Sequence, residues 1–415
     1  MPLVGSVDVM LMGHLGSQAH LGAIGLAGSV FNFIYWNFAF LRMSMAGFTA
    51  QAFGAKNTNE ASVLLGRSFL LAMAGAFLVL VLQIPIEKLA FYLAKADADV
   101  EEYARIYFRI RIYAAPATIG MYSIIGWLIG MQNARATMVI ALAINLVNIL
   151  FSAFFVVVLK MDSEGVAWGT LIAQYTGLLI AMIILLRKYK SYIVRIRVNE
   201  LFVGGSILKF FSVNTDIFVR TFFIMLVLTY FNFASAEQGK VVLGINVIYL
   251  QLIYVFSFFI DGFANASEAI VGRFIGENNK SAFQKSVRTI FIWGISLATI
   301  FSTVYLIAHK PLVKLYTSDV EIIRNATDYA VWIIILPLVS IAAFIWDGIY
   351  LGATASREQR NATLLAAVIF ITLYLSLRSR LGNHALLIAQ LAFFATRGVV
   401  QTIFYKSAIL QRYFK

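Results

Sequence analysis

Long apolar runs, separated by short polar or glycine-rich breaks, recur along the whole chain. A helix that crosses a bilayer needs about 20 mostly apolar residues, and all runs except the first are long enough. The pattern predicts twelve transmembrane helices in two groups of six, near 1–14, 21–53, 63–86, 103–130, 135–159, 164–187, 206–235, 241–274, 286–308, 326–352, 361–377 and 383–408. We expect the first of them to be truncated.

The composition agrees with a membrane protein built only from α-helices. Of the 415 residues, 61% are hydrophobic and 13% are charged, and the mean hydropathy is +0.83. A soluble protein usually carries about 25% charged residues. Strands of an outer-membrane barrel alternate in polarity over about ten residues, and these runs are longer and continuously apolar. The fold class predicted is therefore an all-α polytopic membrane protein.

The basic residues collect in the connectors that follow even-numbered spans. The most basic connector is "RKYKSYIVRIRVNE" at 187–200, whereas connectors on the other side are acidic, as in "KADADVEE" and "KMDSEG". The positive-inside rule then places both termini in the cytoplasm, and we expect a multi-pass membrane protein. Arg378 and Arg380 are an exception, because they fall on the predicted outside. The same rule accounts for the net charge of +13 without a nucleic-acid partner.

The two halves of the sequence repeat each other. In three cases matching residues lie 222 positions apart: Gly54 with Gly276, Leu21 with Leu243, and Gly130 with Gly352. The separation of Pro116 and Pro337 is within one residue of that offset. We therefore expect an N-terminal lobe at 1–186, a basic cytoplasmic connector at 187–205 and a C-terminal lobe at 206–415. An even number of spans per half makes the copies parallel, with a pseudo-two-fold axis along the membrane normal, an arrangement typical of transporters.

Several segments together resemble one transporter family. They are "LVGSVDVMLMGHLGS", "LRMSMAGFTAQAFGAKN", "IRIYAAP", "GWLIGMQNAR", "FIDGFANASEAIVGRFIG" and "IWDGIYLGATASR". They resemble the multidrug and toxic compound extrusion (MATE) transporters, and most closely the branch of DinF, DNA-damage-inducible protein F. The resemblance implies a MATE/MOP-type fold, a V-shaped pair of pseudo-symmetric six-helix lobes, and drug efflux driven by inward flow of protons or sodium.

Asp8 is the first candidate for coupling, since it lies in an otherwise apolar span. The resemblance implies that the aspartate of "VDVMLMGHL" is the coupling-cation carboxylate. An apolar setting raises the pKa of a carboxyl group in general, which would let such a group bind and release a proton. The alternative is a surface aspartate at the frayed end of a truncated helix.

A second polar group falls on the fifth span, where Asn145, Asn148 and Ser152 share one helix face. The resembled family has Asn-Ile-x-x-Asp here, so Asn148 matches and Ser152 replaces the aspartate. Asn148 and Ser152 are candidates to join Asp8 in a cation-coupling site. The alternative to a coupling role is that these small polar side chains form hydrogen bonds between helices.

Substrate-binding candidates lie mainly in the second half. Tyr254, Asp261, Asn265 and Glu268 form one stripe of the eighth span. Asp347 in the tenth span and the aromatic ring of Tyr35 complete the candidate set. The acids would recognise cationic compounds, and Tyr35 could hold a flat cation. The alternative for the acids is pairing with buried arginines or helix ends.

Other charged residues of the spans have simpler interpretations. Arg111 and Arg397 lie within or near spans, and we expect Arg111 to be structural. Asp216 and Arg220 have the spacing of an ion pair within one helix, which is the interpretation that we favour for them.

These features predict an antiporter that exports amphipathic, often cationic xenobiotics, with protons favoured over sodium as the coupling ion. We expect a monomer in the lipid bilayer with no cofactor and no enzyme activity. The nearest alternative is a lipid-linked oligosaccharide flippase of the same superfold, which should show more basic residues in its cavity. A membrane enzyme would need a clustered constellation of catalytic residues, and a receptor or scaffold would have no need of the duplication.

Overall fold

A computed structural model describes residues 18–94, 97–193, 198–202 and 204–414. Within these ranges the protein is helical, and eleven helical stretches are long and apolar enough to cross a membrane. They correspond to the second to twelfth predicted spans, and the all-α polytopic fold is confirmed. The first predicted span, at 1–14, lies outside the described residues.

The chain divides by its contacts into two compact units, Met1–Thr49 with Asn57–Ile207, and Ala50–Lys56 with Leu208–Lys415. The described part of the predicted connector contacts the first unit. Arg67 donates hydrogen bonds of 2.9 Å and 2.8 Å to the main-chain carbonyls of Glu200 and Leu201. A buried guanidinium needs such acceptors, and they tie this stretch to the first unit.

Two predicted spans of the first unit, 21–53 and 103–130, are each built from two α-helices in succession. In chain order the helices of this unit are α1 (Gln18–Trp36), α2 (Ala39–Gly54), α3 (Thr58–Val81), α4 (Gln83–Ala94), α5 (Ala98–Arg111), α6 (Ala115–Gly130), α7 (Ala134–Ala153), α8 (Asp162–Lys188), α9 (Lys190–Ile193) and α10 (Val198–Leu201). The last residues of α2, from Ala50 onward, belong to the second unit.

The second unit has longer, more continuous helices. In chain order they are α11 (Gly204–Glu237, whose first residues belong to the first unit), α12 (Lys240–Gly276), α13 (Lys280–Tyr316), α14 (Val320–Ala326), α15 (Ala330–Gly352), α16 (Ser356–Leu381), α17 (Asn383–Tyr405) and α18 (Gln411–Tyr413). Helix α13 contains Pro311 and bends at Ala308, whose φ of −109° and ψ of 16° leave the helical region. Proline lacks the N–H of an internal helical hydrogen bond, which accounts for the bend.

Helix α4 was not foreseen from the sequence. The third span was predicted at 63–86, but it ends at Val81, and a separate helix begins at Gln83. Pro85 stands near the start of α4, where a missing N–H costs no hydrogen bond. Glu87 and Lys88 then mark the segment as unsuited to the bilayer core.

The internal repeat is visible in the backbone. Lys56 and Asn278 adopt positive φ values of 54° and 52°, and Gln132 and Thr354 adopt values of 59° and 51°. Both pairs are separated by the 222 residues that the sequence predicts. Left-handed conformation is uncommon outside glycine, so its recurrence at matching helix ends indicates that the two halves share their local structure.

Gly54 and Gly276 also form a reciprocal contact inside the second unit. A methyl group added at Gly54 would overlap the carbonyl oxygen of Arg273, and one at Gly276 would overlap that of Gln51. Gln51 and Arg273 are themselves 222 residues apart. These glycines therefore do more than end spans, because only a residue without Cβ lets the two backbones approach so closely.

Candidate functional site

A buried polar cluster joins helices α7 and α8 of the first unit. The side-chain amide of Asn148 donates to Thr170 Oγ1 at 3.0 Å and to Ser152 Oγ at 3.4 Å. All three residues are at most 1% exposed. Gly169 permits this close packing, because a methyl group there would overlap the hydroxyl of Ser152.

The hydrogen-bond acceptors of this cluster have fewer partners than its donors do. Among the described residues, Asn148 Oδ1 has no hydrogen-bond partner, although it is buried. The same holds for Gln174 Oε1, which lies on the face of α8 that carries Thr170. A buried acceptor without a partner is costly, so the cluster can accept a proton donor or a small cation.

The structure brings together two of the three residues predicted for cation coupling. Asn148 and Ser152 are in contact, whereas Asp8 lies outside the described residues. Asn145 is more exposed, and its amide donates to the main-chain carbonyl of Ala141 in its own helix at 2.6 Å. Thr170 was missed, because the sequence gives no sign of which helix packs against α7.

Tyr35 is buried in the first unit. Its ring stacks on Phe31 with centroids 5.7 Å apart, and the residue is 8% exposed. The guanidinium of Arg111 lies 4.8 Å above the ring of Phe31 and donates to Tyr107. Arg111 thus contacts aromatic rings in the core of this unit, as its expected structural role requires.

The stripe predicted on the eighth span lies on α12. Tyr254 is 37% exposed, Asp261 is exposed, and Asn265 is half-buried. Glu268 is 1% exposed and lies one turn further along the same helix. The stripe therefore runs from an accessible end to a buried end.

Asp347 is surrounded by donors from three neighbouring helices of the second unit. Its Oδ2 accepts hydrogen bonds from Arg220 of α11 and Arg397 of α17. Its Oδ1 accepts from the amides of Gln359 at 3.0 Å and Gln401 at 3.1 Å. The expected substrate carboxylate is thus engaged by two arginines, which was the alternative that the sequence left open.

The ion pair expected between Asp216 and Arg220 gives way to pairing with other helices. Asp216 binds Arg360 of α16 at 2.5 Å and accepts a hydrogen bond from Ser356 at 2.9 Å. Arg220 instead binds Asp347. The expectation was wrong, because each buried side chain faces an oppositely charged partner on a neighbouring helix and pairs with that partner.

A further charged cluster lies at the boundary between α4 and α5. Glu87 is 7% exposed and binds Arg105 at 3.0 Å and Arg109 at 2.9 Å. Burial acts to raise the pKa of the Glu87 carboxyl, but hydrogen bonds from Arg109 and Arg105 outweigh it and hold that pKa below its usual range. The cluster fastens the amphipathic helix α4 to the first unit.

These features define a class, a polytopic helical membrane protein with polar clusters buried among its spans. The MatE family model matches residues 1–154 and 217–375. The DNA damage-inducible protein F of Escherichia coli (strain K12) is 33% identical over 398 residues, covering 96% of this chain and 86% of that protein. The chain belongs to the MatE family.

Two further comparisons show a similar protein and a shared fold. Multidrug and toxin extrusion protein 1 of Oryctolagus cuniculus is 27% identical over 331 residues, which cover 77% of this chain and 56% of that protein. The crystal structure of the Vibrio cholerae MATE transporter VcmN in the bent form superposes with a TM-score of 0.86 at 17% identity. That match covers 99% of this chain and 94% of the other and shows that the fold is shared.

Proposed function

We propose that this protein is a cation-coupled antiporter that exports amphipathic, often cationic compounds across the membrane. Membership in the MatE family supports transport, and a relative named for multidrug and toxin extrusion supports this kind of substrate. The observation that carries the proposal is the buried polar cluster of Asn148, Ser152 and Thr170. Within the described part of the chain, the amide oxygen of Asn148 has no hydrogen-bond donor.

In this proposal Asp8, Asn148 and Ser152 form the coupling site. Asp8 would carry the proton, and the two neutral side chains would stabilise the alternative states of its carboxyl group. Sodium would need several oxygen ligands, and Ser152 offers only a weak hydroxyl where the family pattern has a carboxylate. Protons are for this reason the coupling ion that we favour.

Substrate binding is assigned to the stripe on α12, formed by Tyr254, Asp261, Asn265 and Glu268. An exposed carboxylate within an apolar span, such as Asp261, avoids lipid by facing water or a ligand. Tyr35 would add an aromatic surface if its packing changes during transport.

The proposal also includes the setting of the protein. It would act as a monomer in the inner membrane of a bacterium, with both termini in the cytoplasm. The only other partners that it requires are the bilayer and a small amphipathic substrate.

Transport by proteoliposomes tests the proposal directly. Vesicles containing the purified protein would be loaded with ethidium, and a proton gradient or a sodium gradient would be imposed separately. We expect ethidium export under the proton gradient and little under sodium alone at fixed pH. Protein-free vesicles measure passive leakage of the dye. Export that is equally fast with and without an imposed gradient, after leakage is subtracted, would contradict coupled antiport.

A further inference from the structure

The environment of Asp347 leaves its carboxylate no free acceptor position. Arg220 and Arg397 donate to Oδ2, and the amides of Gln359 and Gln401 donate to Oδ1. A carboxylate offers about four lone-pair positions, and four donors occupy them here. A proton or a metal ion could bind this carboxylate only by displacing one of these donors.

The charges around Asp347 also disfavour a further cation. Two guanidinium groups face one carboxylate, and all three residues are at most 8% exposed. Arginine stays protonated in proteins, so this excess of positive charge is permanent. In an interior with little water, charge repulsion is weakly screened and acts strongly on any cation that approaches.

We propose that Arg220 and Arg397 are specificity-determining residues, which keep Asp347 as a fixed anion and exclude coupling cations and cationic substrates from it. This inference rests on the proposed function, because it states where a cation transporter of this kind does not bind its cations. Cation binding is then left to the coupling site of the first unit and to the stripe on α12. Arg220 and Arg397 lie on α11 and α17, which are not the helix of Asp347, so the exclusion depends on how these helices of the second unit pack.

The proposal predicts a gain of binding when both arginines are neutralised. In the double variant Arg220→Gln/Arg397→Gln, Asp347 would keep its amide donors but lose its cationic partners. At a pH high enough to keep the Asp347 carboxyl ionised without them, it would then offer a buried negative charge, which attracts a cation such as ethidium. The triple variant, which adds Asp347→Asn, has no charge in the cluster and should bind ethidium as the unmodified protein does.

Equilibrium binding of ethidium to the purified protein in detergent separates these cases when it is measured at alkaline pH, where Asp347 is ionised in the double variant. Thermal unfolding verifies that each variant is folded. We expect the double variant to bind about tenfold more tightly than the unmodified protein, which corresponds to about 1.4 kcal/mol. Arg67→Gln is the control, because it removes a buried arginine that binds main-chain carbonyls and exposes no carboxylate. It should leave ethidium affinity unchanged.

Two results would overturn the proposal. A folded double variant that binds ethidium no more tightly than the triple variant would show that the arginines do not prevent cation binding at Asp347. A folded triple variant that binds ethidium far more weakly than the unmodified protein would show that Asp347 already serves cations, and this comparison stands even if the double variant does not fold. Binding is measured without a gradient, so failure of coupled export in vesicles remains a separate result that bears on the proposed function alone.

Discussion

Gly126 of α6 packs directly on the carbonyl oxygen of Arg42 in α2, at a point where any side chain would overlap the backbone. The second unit repeats this contact, with Gly348 of α15 on the carbonyl oxygen of Ala264 in α12. Both residues of the contact are shifted by 222 positions. The duplication is thus preserved in close helix–helix contacts, where small residues decide how near two backbones can lie.

The glycine contact predicts a local cost for one added methyl group. Gly348→Ala should lower the stability of the protein by about 1–3 kcal/mol, the usual range for overpacking, and it should lower the thermal unfolding midpoint in detergent. Gly262→Ala on α12 is the control, because a methyl group there meets no atom within 4 Å. Equal midpoints for the two variants would show that the contact is looser than described.

The hydrogen bond between Asn148 and Thr170 should appear as an energetic coupling. A double-mutant cycle with Asn148→Ala and Thr170→Val should give about 0.6 kcal/mol, a typical value inside membrane proteins. Thr176→Val is the matched control, since Thr176 donates to the carbonyl of Ile172 in its own helix. A coupling of Asn148 to Thr176 as large as that to Thr170 would argue against a specific contact.

The Glu87 cluster predicts a pH-dependent contribution to stability. The carboxyl has a pKa below its usual range when folded, so its contribution is complete above the unfolded value of about 4.3 and is lost as the pH falls towards the folded value. Glu87→Gln should therefore destabilise the protein at pH 7, and the difference should shrink in acid. Thermal unfolding across pH measures this, with the exposed Glu102→Gln as control. A difference that grows in acid would contradict the assignment.

Asp261 should distinguish substrates by charge. Asp261→Asn should weaken ethidium binding by about tenfold, or about 1.4 kcal/mol, and leave a neutral dye such as Nile red almost unaffected. Asp99→Asn, at an exposed position at the start of α5, is the control for a change of net charge. An equal loss for both dyes would remove the charge argument and point to altered packing.

The fold was largely predictable from the sequence, because apolar runs set the spans and the repeat set their grouping. Helix α4 was missed, since its first apolar residues, such as Ile84, continue the preceding apolar run and were included in the third span. Hydropathy alone does not show where one helix ends and the next begins within an apolar run.

The site was predictable only in part. The spacing of residues along a helix shows which of them share a face, but it does not show which other helix packs against that face. Asn148 and Ser152 are in contact as their spacing suggests, but Thr170 could not be named. Arg220 was assigned to Asp216 because the two are close in sequence, whereas in the structure it binds the buried Asp347, which is 127 residues away. The presence of an arginine in an apolar span was the available signal that such a long-range partner exists.

The central claim is that a carboxylate in the first span couples proton flow to export, and Asp8 is its assigned residue. The decisive measurement is export of ethidium from proteoliposomes under an imposed proton gradient for Asp8→Asn, alongside equilibrium ethidium binding by the same variant. Asp97→Asn, an exposed residue whose side chain makes no capping hydrogen bond, is the control and should export normally. We predict that Asp8→Asn still binds ethidium but no longer exports it. Gradient-driven export by Asp8→Asn, or export by the unmodified protein that follows sodium at fixed pH, would contradict the account.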